Sequence, residues 1–400
     1  MLTRLNCFVV IIAFCATVWL GTNSSLAQIS VAEFHNILRE KLTFDENDLA
    51  ALKQGNTVVK LLPGQDNKEV SVAGLVELQV PAQVFLDSFR ETMATKSNPA
   101  ILEIGRFSNQ PKLDDLNELT FETRDIEDLR RCVVGDCQLK LSATMIERLR
   151  KDINWDAPDY AVQATQLLKL MLLDYVRDYL ARGEVVLIEY SDKEKTVRLA
   201  EEQRALRSSS SYINGVLAKS SHYLTNWSTL TNIENAIVWS KIKSGLKPVI
   251  AINHITIYKN QNEIGPQIVV TSKQIYANHY FNSSLALTAF VNVPGVNPTS
   301  YLVYENHSRA DGLGGPFGGI KRGIVGDKAV SGLTAILEQS KAKLYARTSS
   351  RTESESPVDE GRTGRRWKMA GVRVVFWLLL ISAFAALLAL SNYRWKTQAT

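Results

Sequence analysis

Several things are scarce in this chain of 400 residues. It has four cysteines, and two of them, Cys7 and Cys15, fall in an apolar leader. Neither stands in a Leu-small-small-Cys setting, so lipidation at a cysteine is not expected. That leaves Cys132 and Cys137, too few for a disulfide-built scaffold and with no second Cys or His cluster to complete a zinc site. Net charge is only +5, much of it between Arg362 and Arg373, which argues against a nucleic-acid surface. No internal repeat or low-complexity tract is present in the soluble region. No Gly-x-Ser-x-Gly elbow occurs, which removes the simplest serine-hydrolase reading. No His-Glu-x-x-His helix occurs, and the glycine-rich DGLGGPFGGIKRG lacks the Gly-Lys-Ser/Thr of a nucleotide loop. Neither a metal nor a cofactor is therefore expected.

What is present begins with two hydrophobic segments near the termini. Phe8 to Leu20 follows Arg4 and leads to Ser25-Leu26-Ala27, small residues at the two positions that a signal peptidase reads. A secretory signal over 1–27 is predicted, with Gln28 opening the mature chain. Val372 to Leu390 is apolar and uncharged after Arg373, long enough to span a bilayer core. A transmembrane helix is predicted over 372–392 and a short tail over 393–400. The positive-inside rule pulls the other way, because Arg362, Arg365, Arg366, Lys368 and Arg373 flank the outer end. The leader decides, since long domains are translocated largely regardless of charge. The chain is thus expected at the cell membrane, anchored once, with its domain on the periplasmic or extracellular side. The outer basic residues would lie against anionic headgroups.

Roughly 320 residues remain between these segments, enough for one large domain or two ordinary ones. Hydrophobic residues make up 45% and charged residues 22%, a globular balance. In an oxidising compartment the CVVGDC pair points to a disulfide, with Gly135-Asp136 as its turn. A redox pair usually has two intervening residues, whereas this pair has four.

Three stretches follow by pattern. Residues 28–124 are mixed: a helix over Ser30 to Leu42, strands over Thr57 to Leu62 and Val70 to Val80, a short helix Ala82 to Thr92 after Pro81, and a strand Ile101 to Phe107. Residues 125–245 read as a helical insertion. Its best element is Pro158 to Arg182, with Asp156 as N-cap, Gly183 as stop, and an apolar face wide enough for burial on most sides. Residues 246–347 return to strands at Val249 to Tyr258, Gln267 to Ile275, Ser284 to Val293 and Ser300 to Asn306, spaced for antiparallel connections. A long helix from Ile320 to about Leu344 closes the domain. Ile320, Ile324, Leu333, Ile336, Leu337 and Leu344 are predicted on one buried stripe of it. Residues 348–371, opening with TSSRTESESPVDEGRTG, read as a flexible tether with a basic flank.

This order, with VAGLVELQVPAQVFLDSF over Val72 to Phe89 and a final strand and helix over Tyr301 to Leu344, resembles the START and polyketide-cyclase-like superfamily. The likeness covers Thr57 to Phe107 and Pro248 to Leu344 and rests on order and pattern. The helical stretch 125–245 departs from it. Around RRCVVGDC and GGPFGGIKRGIV the chain also resembles exported bacterial proteins that carry no assigned activity. The superfamily likeness implies a helix-grip fold of α+β class. An antiparallel sheet would grip the long helix around an apolar cavity for a lipid or another hydrophobic molecule. Ile320, Ile324, Leu333, Ile336, Leu337 and Arg322 would line that cavity, without catalysis. From its own residues, the glycine-rich bend Gly312 to Gly319 reads as a hinge that lets the long helix fold back over the sheet, or else as a headgroup or carboxylate contact near Lys321 and Arg322.

Two other classes stand beside this one. Glu305 and His307 fall on one strand face with Asp311 just beyond, a carboxylate-histidine set that suits a general base. The helical stretch would suit an envelope scaffold that docks another protein. Asn226, Asn282 and Asn306 head glycosylation sequons.

Overall fold

The computed structural model describes residues 30–354, apart from 94, 96–99, 211, 213–232, 244–246, 261–265, 294–298 and 315–316. The leader 1–27, the apolar run 372–392 and most of the expected tether lie outside the described residues. No helix of the described residues is long and apolar enough to cross a membrane.

The fold is α+β. Helices α1 (Val31–Leu42) and α2 (Glu46–Lys53) precede strands β1 (Val58–Leu62) and β2 (Glu69–Leu78), helix α3 (Ala82–Thr92) and strand β3 (Ile101–Arg106). Helices α4 (Thr123–Leu129), α5 (Ala143–Asp152) and α6 (Tyr160–Arg182) follow, then the small hairpin β4 (Glu189–Tyr190) and β5 (Val197–Arg198), and helix α7 (Leu199–Ser209). Strands β6 (Ile233–Ile242), β7 (Val249–Lys259), β8 (Ile268–Ala277), β9 (Phe281–Val293) and β10 (Thr299–Ala310) run in succession, and α8 (Gly318–Ser354) ends the described chain.

Eight strands form one sheet in the order β1-β2-β10-β9-β8-β7-β6-β3, every neighbour antiparallel. β6 to β10 are a meander. β2 closes on the last strand of that meander and β3 on the first. The chain therefore leaves the sheet after β3, builds α4 to α7, and re-enters beside β3 as β6. This corrects the helical reading of residues 125–245, because Ile233–Ile242 is a strand. The physical reason is that β6 is buried on both sides, with Ala236 and Val238 in one core and Ile237 and Trp239 in another. Only Ala236 to Trp239 form an unbroken apolar run, between Glu234-Asn235 and Ser240-Lys241, so the strand shows no polar alternation to mark it.

Helices cover both faces. On the face called inner here, α3 and α8 pack over Val70, Val72, Val76 and Leu78 of β2 and over apolar residues of β6 to β10. Phe85 of α3 stacks on Phe290 at 5.4 Å. α8 crosses β2 closely: a Cβ on Gly74 would stand 2.4 Å from Leu337 Cδ1, so the strand carries no side chain there. The outer face has two cores. α4, α5 and α6 cover Trp239, Ile252 and Ile275, while α1, α2 and Leu206 of α7 cover β1, β2, β9 and β10. α6 buries nine residues, as its wide apolar face requires, but Asp159, not Asp156, is its N-cap. α8 also extends past the expected end, so 348–354 are helical and not part of a tether.

Cys132 and Cys137 stand at disulfide distance, with Sγ atoms 2.03 Å apart. Val133 and Asp136 bridge across the turn, Gly135 takes φ +90°, and Gly135 and Cys137 donate to the carbonyls of Ser191 and Asp192. A closed loop this short would contribute about 2 kcal/mol. Thiol labelling of unreduced, denatured protein should find neither cysteine reactive, and two reactive thiols would remove the bond.

Candidate functional site

The antiparallel register sorts the polar residues of the sheet by face. In β10, Glu305, His307 and Arg309 point outward beside Glu69 and Ser71 of β2, since Ser71 pairs with His307 and Glu69 with Arg309. The imidazole of His307 lies between two carboxylates, Nδ1 2.8 Å from Glu69 Oε1 and Nε2 2.6 Å from Glu305 Oε1. Ser71 Oγ is 2.7 Å from the same Nδ1 and donates to Glu69 Oε1 at 2.7 Å. The end of α7 seals the group: Ser209 donates to Glu69 Oε2, and Ser210 Oγ lies 2.8 Å from both oxygens of Glu305. Arg309 donates to Glu202 of α7 at 2.7 Å and to Asp66 at 2.6 Å.

Burial opposes a charge on His307, yet its hydrogen bonds to Glu305 and Glu69 outweigh that and lift its pKa to about 9. Burial likewise pushes Glu69 up, but the bonds from His307 and Ser71 hold it below the usual carboxylate range. The histidine is therefore an imidazolium at neutral pH, with both protons already directed at carboxylates. It has no lone pair to accept a proton, and Ser71 is fully buried. Glu305 and His307 are brought together as expected. Asp311 is not among them: it receives a bond from Asn282 at 2.8 Å and faces Lys68 at 3.2 Å. Glu69 takes the place expected for it, a partner too distant in the chain for local pattern to reveal.

Much of the rest of the outer face is polar and paired, although Gln203 Oε1 of α7 and Ser283 Oγ of β9 have no hydrogen-bond partner. Glu184, after α6, receives Lys273 at 2.8 Å and Arg207 at 3.1 Å. Tyr179 Oη lies 2.8 Å from His254 Nδ1, and burial, with Lys273 nearby, lowers His254 to about 3. Lys247 and His279 both reach Asp125 of α4. These pairs fasten the helical layer to the sheet. Among the described residues, no group of three or more His, Cys, Asp or Glu could hold a metal ion.

The inner face differs in kind. Among the described residues, its buried polar side chains are neutral. Asn306, Ser284 and Ser308 bond among themselves at 2.9 to 3.2 Å. Beyond them lie Asn253, Ser272 and Gln274, and Ser88 comes from α3. Neither amide atom of Asn253 or Gln274 has a hydrogen-bond partner, nor do the hydroxyls of Ser272 and Ser88. Asn253 sits directly opposite Gln274, both essentially fully buried. Among the described residues, the buried charged residues of the strands, Glu69, Lys241, Lys273, Glu305, His307 and Arg309, are all on the outer face.

Of the residues expected to line a cavity, Leu333, Ile336 and Leu337 are buried on the sheet-facing side of α8. Ile320 and Ile324 are 65% and 44% exposed. The true stripe is Val325, Ala329, Leu333, Ile336, Leu337 and Leu344, one residue out of phase with Ile324. One residue turns a helix by about 100°, which carries Ile320 and Ile324 off the sheet. Arg322 is committed locally: it donates to the carbonyls of Asn67 and Leu313, at 2.9 and 3.1 Å, beside a surface cleft of about 380 Å³. Asn282 and Asn306 are buried, so their sequons are not open to glycosylation in the folded chain, and Asn226 lies outside the described residues.

Comparison with family models, with curated proteins and with solved structures finds no match to this chain.

Proposed function

We propose that this chain is an exported, membrane-anchored protein that binds a hydrophobic small molecule or lipid, without catalysis, between the inner sheet face and helices α3 and α8. The order of β2, the Pro81-started α3, the meander β6 to β10 and the closing α8 follows what the START-like resemblance implies, and on that basis we read the fold as a helix grip. The anchor and the export rest on the apolar segments Phe8 to Leu20 and Val372 to Leu390.

The observation that carries the binding reading is the inner face itself. It is apolar under two helices, yet among the described residues it holds six buried polar atoms, on Asn253, Gln274, Ser272 and Ser88, with no partner. An unsatisfied buried group costs about 1–3 kcal/mol. Several together are comparable to the whole stability of an ordinary domain. A molecule seated there would offset that cost. The enzyme reading is disfavoured by the sealed, protonated state of His307. The scaffold reading keeps the support of exposed apolar side chains, Val162 and Val185 in the helical stretch and Phe317, Ile320 and Ile324 at the start of α8.

Full-length protein should fractionate with membranes and, after detergent extraction, carry an apolar molecule detectable by native mass spectrometry and recoverable in organic solvent. Recovery from the soluble fraction would remove the anchor. Protein of bare chain mass with an empty solvent extract would remove the binding role and leave the scaffold.

A further inference from the structure

We infer that the Asn253–Gln274 pair is the recognition element of the inner-face site, and that it selects a ligand with an uncharged head group able both to donate and to accept a hydrogen bond, an amide or an alcohol, over a carboxylate or a phosphate. The inference rests on the binding reading above and adds the chemistry of the ligand.

Three observations lead to it. First, the two side chains are a directly paired cross-strand couple on β7 and β8, so their amides leave the sheet side by side. Each amide offers an acceptor oxygen and a donor nitrogen, and all four atoms are unpartnered. Ser272 extends the set along β8, and through Ala286 it shares a row with Asn306 of the closed network. Second, among the described residues, the face is without buried charge. Arg90, Glu234 and Lys259 lie at its rim and are partly exposed, bonded to one another from α3, β6 and β7. An anionic head group beside Asn253 would have no cation to meet it and would be buried unpaired, which is costly. Third, the protein buries charge freely elsewhere. The outer face of the same strands carries His307, Lys273 and Lys241, each with carboxylate partners. The neutrality of the inner face is therefore specific to the space under α3 and α8.

The surrounding side chains fit an amphipathic occupant. Ala251 and Ile255 flank Asn253 on β7, Val238 of β6 stands opposite it, Ala286 of β9 stands opposite Ser272, and Phe85 and Phe89 reach the same core from α3. The polar atoms thus form an island in an apolar surface, the arrangement by which a mostly apolar site fixes the orientation of a ligand.

The test uses the full chain in detergent with hexanamide, hexanol and hexanoate as probes, at about pH 8 so that hexanoate is fully ionised. Binding is read by displacement of copurified material in native mass spectrometry and by melting temperature. Hexanamide and hexanol should bind at least ~10-fold more tightly than hexanoate. The double variant Asn253→Leu/Gln274→Met should keep or raise the melting temperature, because it removes polar atoms that have no partner to lose. It should also lose at least ~10-fold in affinity for hexanamide. Hexanoate binding as tightly as hexanamide would overturn the inference, as would wild-type hexanamide affinity in the double variant. If the variant does not fold, the wild-type comparison of the three probes decides alone. If an apolar molecule copurifies but shows no preference for neutral heads, the binding role stands and the inference falls. If nothing binds, both fall.

Discussion

Replacing His307 by leucine is expected to destabilise the fold by about 3–5 kcal/mol, the effect of removing one partner of a buried ion group. The substitution leaves Glu69 and Glu305 inside the protein with no cation between them. Arg309 Nη1, 3.7 Å from Glu69, relieves only one of the two. Urea denaturation followed by fluorescence gives the number. Adding Glu305→Gln to the leucine variant should recover part of the loss, since one of the stranded charges is then gone. A loss under about 1 kcal/mol, the level of an exposed pair, would show that the group is not a buried ionic one.

The pH profile supplies an independent check, because two histidines push it in opposite directions. The folded-state pKa of His307, about 9, is above its ordinary 6.5. Its contribution is therefore full below 6.5 and is lost as pH rises through about 9, on the order of 3 kcal/mol in all. The folded-state pKa of His254, about 3, is below 6.5, so the unfolded chain binds that proton first and stability falls as pH drops below 6.5. Stability should thus peak near pH 6.5 and decline on both sides. In His307→Leu/Glu305→Gln the alkaline decline should flatten. A wild-type profile level between about pH 7 and 9 would mean that His307 is neutral in the folded state.

How much of this was legible in the sequence depends on whether local pattern or distant pairing carried the signal. Pro81 and the phase of Val84, Phe85 and Phe89 placed α3 at its observed bounds. Turn residues placed the meander strands. The apolar breadth of α6 announced its burial. β6 was lost among helices because both its faces are covered. The stripe on α8 was started one residue out of phase, because Ile320 and Ile324 repeat at helical spacing but on a face that meets no sheet. The site was harder. INHITIY reads as the alternation of a half-buried strand, yet both faces of β7 are inside. The alternation there separates two buried faces, with Asn253 on the inner one and His254 on the outer. Glu69 meets His307 only through the β2–β10 register, which a reading of neighbouring residues does not contain.

Leu337→Asp is expected to have the largest effect of any single change in α8. The leucine is fully buried and packs where β2 has only the backbone of Gly74 to offer. Truncating a buried leucine costs about 2–5 kcal/mol, and the new carboxyl would meet no partner in an apolar core, which adds to the loss. A total near 5 kcal/mol should lower the melting temperature by roughly 10–20 °C in a domain of this size. If α8 closes the site, the variant should also release any copurified molecule. Lys343→Asp would be a poor control, because Lys343 lies 3.4 Å from Glu91 of α3 and helps to hold the two helices together. Ala335→Asp is the better one, since that residue is exposed on the same helix. It should leave both the melting temperature and the bound molecule unchanged. Should Leu337→Asp melt with the wild type and retain its ligand, α8 would not be the closing element, and the helix-grip reading would go with it. A stable protein that has lost only its ligand would instead place the cavity wall at Leu337 itself.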